Sequence, residues 1–184
     1  MIAGFIFLRL RGILGKRTGY EGKTNPQFQE IIEKINTDVK EKLNDNFDET
    51  AQKEFLKGAK IAYETIITDF SDDDNKLIKS KPLLSKKIYD QFNQALKERS
   101  NRGHYAEITF IGVNSADVKE HKKTNSILKV TVDFVGEVIT CIKDKDKKII
   151  SGDPEKIKKI YDTWVFSRDT RSTNPNWQLV DILT

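Results

Sequence analysis

The pattern of apolar positions changes once along the chain, from a helical period to strict alternation. From Asn25, apolar residues recur every three to four positions, which is the spacing of one helix face. From His104, apolar and polar residues alternate, as in strands with one buried face. Helices followed by a meander of strands predict an α+β fold, with N-terminal helices packed on a four-stranded antiparallel sheet.

The helix boundaries are marked by capping residues. Asn25 and Pro26 are suited to the cap and first position of a helix, and Ser85 is suited to a second cap. Pro82 is expected to end a short helix that precedes Ser85. The predicted helices cover 26–44, about 49–70, about 76–80 and 85–101.

The strand half ends in a hairpin rich in aromatic residues. A bulge is predicted at Gly136, inside the second strand, and the charged residues 143–148 are predicted to form an exposed connection. The predicted strands cover 104–110, 128–142, 160–169 and 177–183.

Net positive charge is concentrated at the start of the chain. The sequence carries 32 basic and 28 acidic residues, a net charge of +4. Residues 1–24 hold five of the basic residues and one acidic residue, so the remaining 160 residues carry 27 of each. An anionic partner is therefore predicted for residues 1–24, and no nucleic-acid partner is expected for the neutral remainder.

Residues 1–24 combine these charges with an apolar run, Met1–Leu8. This run is too short to cross a hydrocarbon core, which needs about 20 residues. Three interpretations remain open: a segment in the membrane interface, the end of a spanning helix that begins upstream of Met1, or a basic leader without a partner. The predicted membrane- and lipid-contacting residues are Phe5, Ile6, Phe7, Leu8, Arg9, Arg11, Lys16 and Arg17.

The sequence contains no motif for catalysis, cofactor binding or metal binding. It lacks a phosphate-cradling glycine loop, a Gly-x-Ser-x-Gly elbow and a Cys-x-x-Cys pair. Cys141 is the single cysteine, which excludes an internal disulfide, and it is expected to be a buried thiol. His104 and His121 are expected at the surface. No cofactor or metal is therefore predicted.

Two charged residues share a strand face with two aromatic ones in the final hairpin. Asp162 and Arg168 alternate with Trp164 and Phe166 at a spacing of two. This spacing is consistent with a polar pair in a pocket, a candidate acid/base site, and with a structural pair at the end of the sheet.

Several segments carry a family resemblance, among them Thr163-Trp-Val-Phe-Ser-Arg-Asp169 and Asn174-Pro-Asn-Trp177, together with 55–67, 83–92 and 130–137. They resemble the C-terminal domain of subunit forty-four of the mitochondrial inner-membrane import translocase, and above all its bacterial homologues. Residues 9–21 resemble the basic segment that follows a membrane helix in those bacterial proteins. The resemblance covers nearly the whole chain.

The resemblance implies a cone-shaped fold, related to nuclear transport factor two, with an apolar cavity between helices and sheet. It also implies attachment to an inner membrane that contains anionic lipid such as cardiolipin, and a protein partner from a translocation or membrane-protein biogenesis machinery. Chaperone docking is not implied, because the motor-recruiting region of the mitochondrial protein has no counterpart here. The predicted pocket-lining residues, which could equally fill the core, are Tyr63, Phe92, Phe110, Val132, Phe134, Trp164 and Phe166.

These observations predict three parts: a membrane-proximal segment at 1–24, an amphipathic helix arm at 25–47, and an α+β domain at 48–184. The predicted function is that of a non-enzymatic, membrane-associated module that binds protein or lipid. The alternative is a small-molecule-binding or enzymatic domain that uses the cavity. An enzyme would need a carboxylate inside that cavity; Asp162 is a candidate, and Asp133 is expected on the opposite face.

Overall fold

The structure, a computed structural model, describes residues 47–71, 77–174 and 176–183. The predicted helix at 26–44 and the predicted membrane-contacting residues lie outside the described residues. The helices are α1 (Glu49–Phe70) and α2 (Lys86–Asn101), with a short 3-10 helix at Lys81–Leu83 between them. The strands are β1 (Tyr105–Thr124), β2 (Ile127–Lys143), β3 (Ile149–Asp169) and β4 (Gln178–Leu183).

Both long helices begin at the side chains that their sequences suggest. Asp48 Oδ1 accepts a hydrogen bond from the Ala51 N–H at 2.9 Å, and Ser85 Oγ accepts one from the Ile88 N–H at 3.4 Å. Such caps satisfy backbone donors that have no partner within the first helical turn. The predicted bounds of both helices are confirmed.

The predicted short helix at 76–80 is wrong in its described part. Residues 77–80 form no helix, and the helical turn follows at Lys81–Leu83. Pro82 lies inside this turn, near its first position, where a missing N–H costs nothing. Proline therefore starts this helical turn instead of ending one.

The four strands form one antiparallel sheet in the order β1-β2-β3-β4. Strand β1 is longer than predicted, and its register against β2 shifts at three places, between Phe110 and Gly112, between Val113 and Ser115, and between Val118 and Glu120. Each bulge inserts one residue and reverses which positions face inward. Strand β3 begins at Ile149, well before the predicted start at 160.

Helix α1 packs on the inner face of this sheet and forms the core with it. Its buried side chains include Phe55, Tyr63 and Ile66. They meet the buried residues Val130, Val132, Phe134, Trp164 and Phe166 of β2 and β3. The predicted α+β fold, with helices packed on a four-stranded antiparallel sheet, is confirmed.

Candidate functional site

The centre of the inner face is a cluster of aromatic rings around Tyr63. The Tyr63 ring stacks on Phe134 with centroids 4.4 Å apart, and its centroid lies 4.6 Å from that of Trp164. Phe110 contacts Tyr63 at 6.1 Å, and Phe166 contacts both Phe134 and Trp164. Five of the predicted pocket-lining residues therefore belong to one continuous cluster.

The two other predicted pocket residues are also buried. Val132 is paired with Trp164 across β2 and β3. Phe92 lies apart from the Tyr63 cluster, because its ring packs on Phe70 at the end of α1, with centroids 4.8 Å apart. A pocket-lining role for these seven residues stays a prediction.

Gly136 allows Tyr63 to approach the sheet. A Cβ at this position would lie 3.2 Å from Cε1 and Oη of Tyr63 and 3.2 Å from Cγ1 of Ile160. These distances are shorter than ordinary contacts, so a side chain at 136 would push the ring away. Gly136 thus permits close approach between β2 and α1. The bulge predicted at Gly136 lies instead in the neighbouring strand β1.

Asp162 is held by the hydroxyl of Tyr63, which donates to its Oδ2 at 2.6 Å. Arg168 lies six residues further along the same strand, about 20 Å away, so the predicted pair of Asp162 and Arg168 does not exist. Asp133 accepts a hydrogen bond from Thr163 Oγ1 on the outer face, where Lys119 Nζ is 3.5 Å away. The expected orientation of Asp133 away from the core is confirmed.

A second aromatic group lies towards the start of α1. Phe55 contacts Phe166 at 5.8 Å and Trp177 at 4.6 Å, measured between ring centroids. Phe47 contacts Phe55 at 5.7 Å, Trp177 at 6.2 Å and His121 at 5.0 Å. We call Phe47, Phe55, Phe166 and Trp177 the basal aromatic group. The sequence did not indicate this group, because the bulges in β1 decide that His121 faces it.

Arg168 is buried beside the basal aromatic group. Its exposed fraction is 8%, and its Nε and Nη1 atoms are buried without a hydrogen-bond partner in the described part of the chain. Burial lowers the pKa of this guanidinium below its ordinary value. Arginine nevertheless stays protonated at neutral pH, so the interior holds a positive charge at this point.

The single cysteine is part of a small polar cluster on the other face of the sheet. Cys141 is buried, as predicted, and its thiol lies 3.6 Å from a carboxylate oxygen of Glu107. Burial, followed by the negative charge of Glu107, raises the pKa of the thiol. Lys143 Nζ is 2.7 Å from the same carboxylate. A raised pKa keeps the thiol protonated and poorly nucleophilic.

The family model of the Tim44-like domain matches residues 38–184. The chain belongs to this family. Mitochondrial import inner membrane translocase subunit TIM44 of Mus musculus is 24% identical to the Tim44-like chain over 96 residues, which cover 51% of this chain and 21% of that protein. Probable mitochondrial import inner membrane translocase subunit tin-44 of Caenorhabditis elegans is 24% identical over 158 residues, which cover 84% of this chain and 36% of that protein.

The Tim44-like chain thus matches only 21% and 36% of the length of these two relatives. Among solved structures, the intermembrane space region of chloroplast protein ARC6 aligns with a TM-score of 0.44 at 14% identity, covering 70% of this chain and 95% of that chain. Within the described residues, neither helix combines the length and the apolar character needed to cross a membrane.

Proposed function

We propose that this protein is a non-enzymatic binding module at the surface of an anionic inner membrane, where it serves protein translocation or membrane-protein biogenesis. The observation that carries the proposal is the Tim44-like match over residues 38–184, since the named relatives are subunits of an inner-membrane import translocase. The membrane contact, the lipid and the protein partner are parts of the proposal.

The proposed membrane contact is the segment 5–17. Its four basic residues are Arg9, Arg11, Lys16 and Arg17, and each contributes about 1 kcal/mol near an anionic surface. The apolar side chains of 5–8 add an interfacial term that does not depend on salt. Each of these two attachments is weak, but together they hold the protein at the membrane surface.

The proposed second binding site lies between α1 and the inner face of the sheet, around Tyr63. Its lining of large aromatic and aliphatic side chains suits an apolar ligand such as an acyl chain. Polar groups of the inner face, Asp162 and Arg168, lie on either side of this lining. The carboxylate of Asp162, the candidate for a catalytic role, accepts a hydrogen bond from Tyr63 Oη at 2.6 Å.

The test is flotation of the full chain with vesicles at low and high salt. We expect binding to vesicles that contain cardiolipin, weaker binding at high salt, and little binding to neutral phosphatidylcholine vesicles. Replacing the four basic residues by glutamine should weaken binding by at least about 100-fold, given about 1 kcal/mol for each charge. The variant is Arg9→Gln, Arg11→Gln, Lys16→Gln and Arg17→Gln.

A matched control removes the same charge from the folded domain. It replaces four lysines that are exposed and lie outside the segment 5–17: Lys53, Lys60, Lys79 and Lys97. We expect this variant to float like the wild type. Equal losses in both variants would show that net charge alone drives binding, and a wild-type chain that fails to float would refute the membrane contact.

A further inference from the structure

Among the described residues, the guanidinium of Arg168 lacks the partner that a buried charge normally has. No ion pair joins it to any residue within 47–71, 77–174 or 176–183, and neither Nε nor Nη1 donates a hydrogen bond there. An uncompensated buried charge is costly, and proteins normally pair such charges or bind an ion to them. The arrangement therefore suggests an anion that is supplied from outside these residues.

Strand register places Arg168 between two apolar neighbours. Leu128 is its partner on β2, and Trp177 lies opposite on the β4 side, because Ser167 pairs with Gln178. Phe166 precedes it on the same face by two residues and contacts Phe55. These neighbours offer apolar surface and no acceptor for the guanidinium.

Arg168 also lies level with the start of α1. Tyr63 contacts Asp162, and Phe55 contacts Phe166. Eight helical residues span about 12 Å and four strand residues about 13 Å, so α1 and β3 run side by side in opposite directions. Two more strand residues bring Arg168 beside residues 50–51, in the first turn of α1.

Charged side chains of both signs lie at this end of the inner face, with Asp48 and Glu49 at the start of α1. Cross-strand pairing places His121 opposite Val130 and Lys123 opposite Leu128, on the face that carries Arg168. The helix N-terminus is favourable to anions as well, although Asp48 already caps it. The guanidinium is therefore the group best placed to take an additional anion.

We propose that Arg168 binds the anionic head of an amphiphile, a carboxylate or a phosphate, whose apolar part lies against the basal aromatic group. The planar guanidinium can donate two parallel hydrogen bonds to such a head from Nε and Nη1, the atoms that lack partners. The adjoining rings supply apolar contact for a short alkyl chain. This site refines the inner-face part of the proposed function and rests on it for the apolar ligand.

The experiment measures thermal unfolding of the full chain with decyl phosphate, decanoate, decanol and inorganic phosphate, the amphiphiles below their micelle concentrations. We expect both anionic amphiphiles to raise Tm by about 5–10 °C at roughly a hundredfold excess over Kd. Decanol and inorganic phosphate should produce much smaller shifts. Equal shifts with decanol would overturn the anion site, and equal shifts with inorganic phosphate would assign it to a free anion.

The variants separate recognition from folding. Arg168→Met keeps the length of the side chain, and we expect it to bind the anionic amphiphiles about 10- to 100-fold more weakly than the wild type. Without ligand it should unfold at the same temperature or higher, since it removes an unpaired buried charge. Arg171→Met, at an exposed position nearby, is the control and should bind normally.

Two results would contradict the proposal. One is full selectivity for anionic amphiphiles in Arg168→Met, and the other is a large loss of its stability without ligand, which would indicate a structural role. Arg168→Lys, which keeps the charge, should retain part of the binding. Stabilisation by an acidic peptide alone would assign the site to a protein partner and overturn the proposal.

Vesicle flotation is independent of this site. If the wild-type chain does not float but decyl phosphate stabilises it through Arg168, the membrane contact fails and the anion site stands. The reverse outcome leaves the membrane contact and removes the anion site.

Discussion

Replacing Gly136 by alanine tests the packing of α1 on the sheet. The new Cβ would lie 3.2 Å from Cε1 and Oη of Tyr63 and from Cγ1 of Ile160, so the ring must move from its stacked position on Phe134. Overpacking of this kind costs about 1–3 kcal/mol. The alanine also restricts the unfolded chain, which offsets about 0.4–1 kcal/mol. We therefore expect a net loss of about 1–2 kcal/mol in the free energy of unfolding.

The matched control is Gly58→Ala in α1. A Cβ at Gly58 would meet no atom within 4 Å, and alanine is the better helix former by about 1 kcal/mol, so this variant should gain stability. Urea unfolding should give midpoints that move in opposite directions at an unchanged slope. The reasoning is refuted if Gly136→Ala is as stable as Gly58→Ala.

A double-mutant cycle identifies the cause of the loss. Tyr63→Phe removes the hydroxyl that Gly136→Ala would crowd, which is also the hydroxyl that donates a hydrogen bond to Asp162. Because the two changes act on one contact, the double variant should lose less stability than the sum of the single losses. Additive losses would show that Gly136→Ala acts elsewhere.

Two further predictions concern buried and exposed carboxylates. Asp69→Ala removes the acceptor of hydrogen bonds from the Ser80 N–H (2.8 Å) and O–H (2.6 Å). We expect it to lower the free energy of unfolding, measured in urea, by about 2–3 kcal/mol. Asp90→Ala, at an exposed position, is the control and should change the free energy of unfolding little. The backbone N–H of Arg171 holds the pKa of Asp169 below its ordinary value of 3.8, so its ionised form stabilises the fold at neutral pH. That contribution is lost as pH falls through the lowered pKa, and the advantage of wild type over Asp169→Asn should therefore shrink between about pH 5 and pH 2; a constant difference would contradict this.

The helices could be predicted from sequence because their signals are local. Helix α1 begins at Glu49 after the cap Asp48 and ends at Phe70, within the predicted bounds. Helix α2 follows Ser85 in the same way. Cap, period and end lie within one short stretch of chain, so no distant residue has to be known.

The ends of the long strands could not be predicted, because cross-strand pairing determines them. The exposed, charged first part of β3, Ile149–Lys159, has no alternation of its own and is held by its pairing with β2. In β1, Lys123 and His121 lie on the inner side of the sheet, at its exposed end, only because three bulges have shifted the register. A sequence period cannot show how many residues a bulge inserts.

The same limit explains the correction of the site. The spacing of Asp162 and Arg168 predicted that both lie on one face of the strand, as observed. It could not show which side chains of α1 lie opposite each of them. Tyr63 meets Asp162, whereas Arg168 lies near the first turn of the helix without a described partner. The direction of α1 across the sheet, a tertiary property, separates the two residues.

The most direct test of the proposed function is fractionation of cells that produce the native protein. We expect the protein in the inner-membrane fraction, released by high salt or alkaline carbonate if the segment 5–17 lies on the surface, or only by detergent if that segment continues a spanning helix. Either result supports attachment to the membrane. Recovery of the protein in the soluble fraction at low salt would contradict the account.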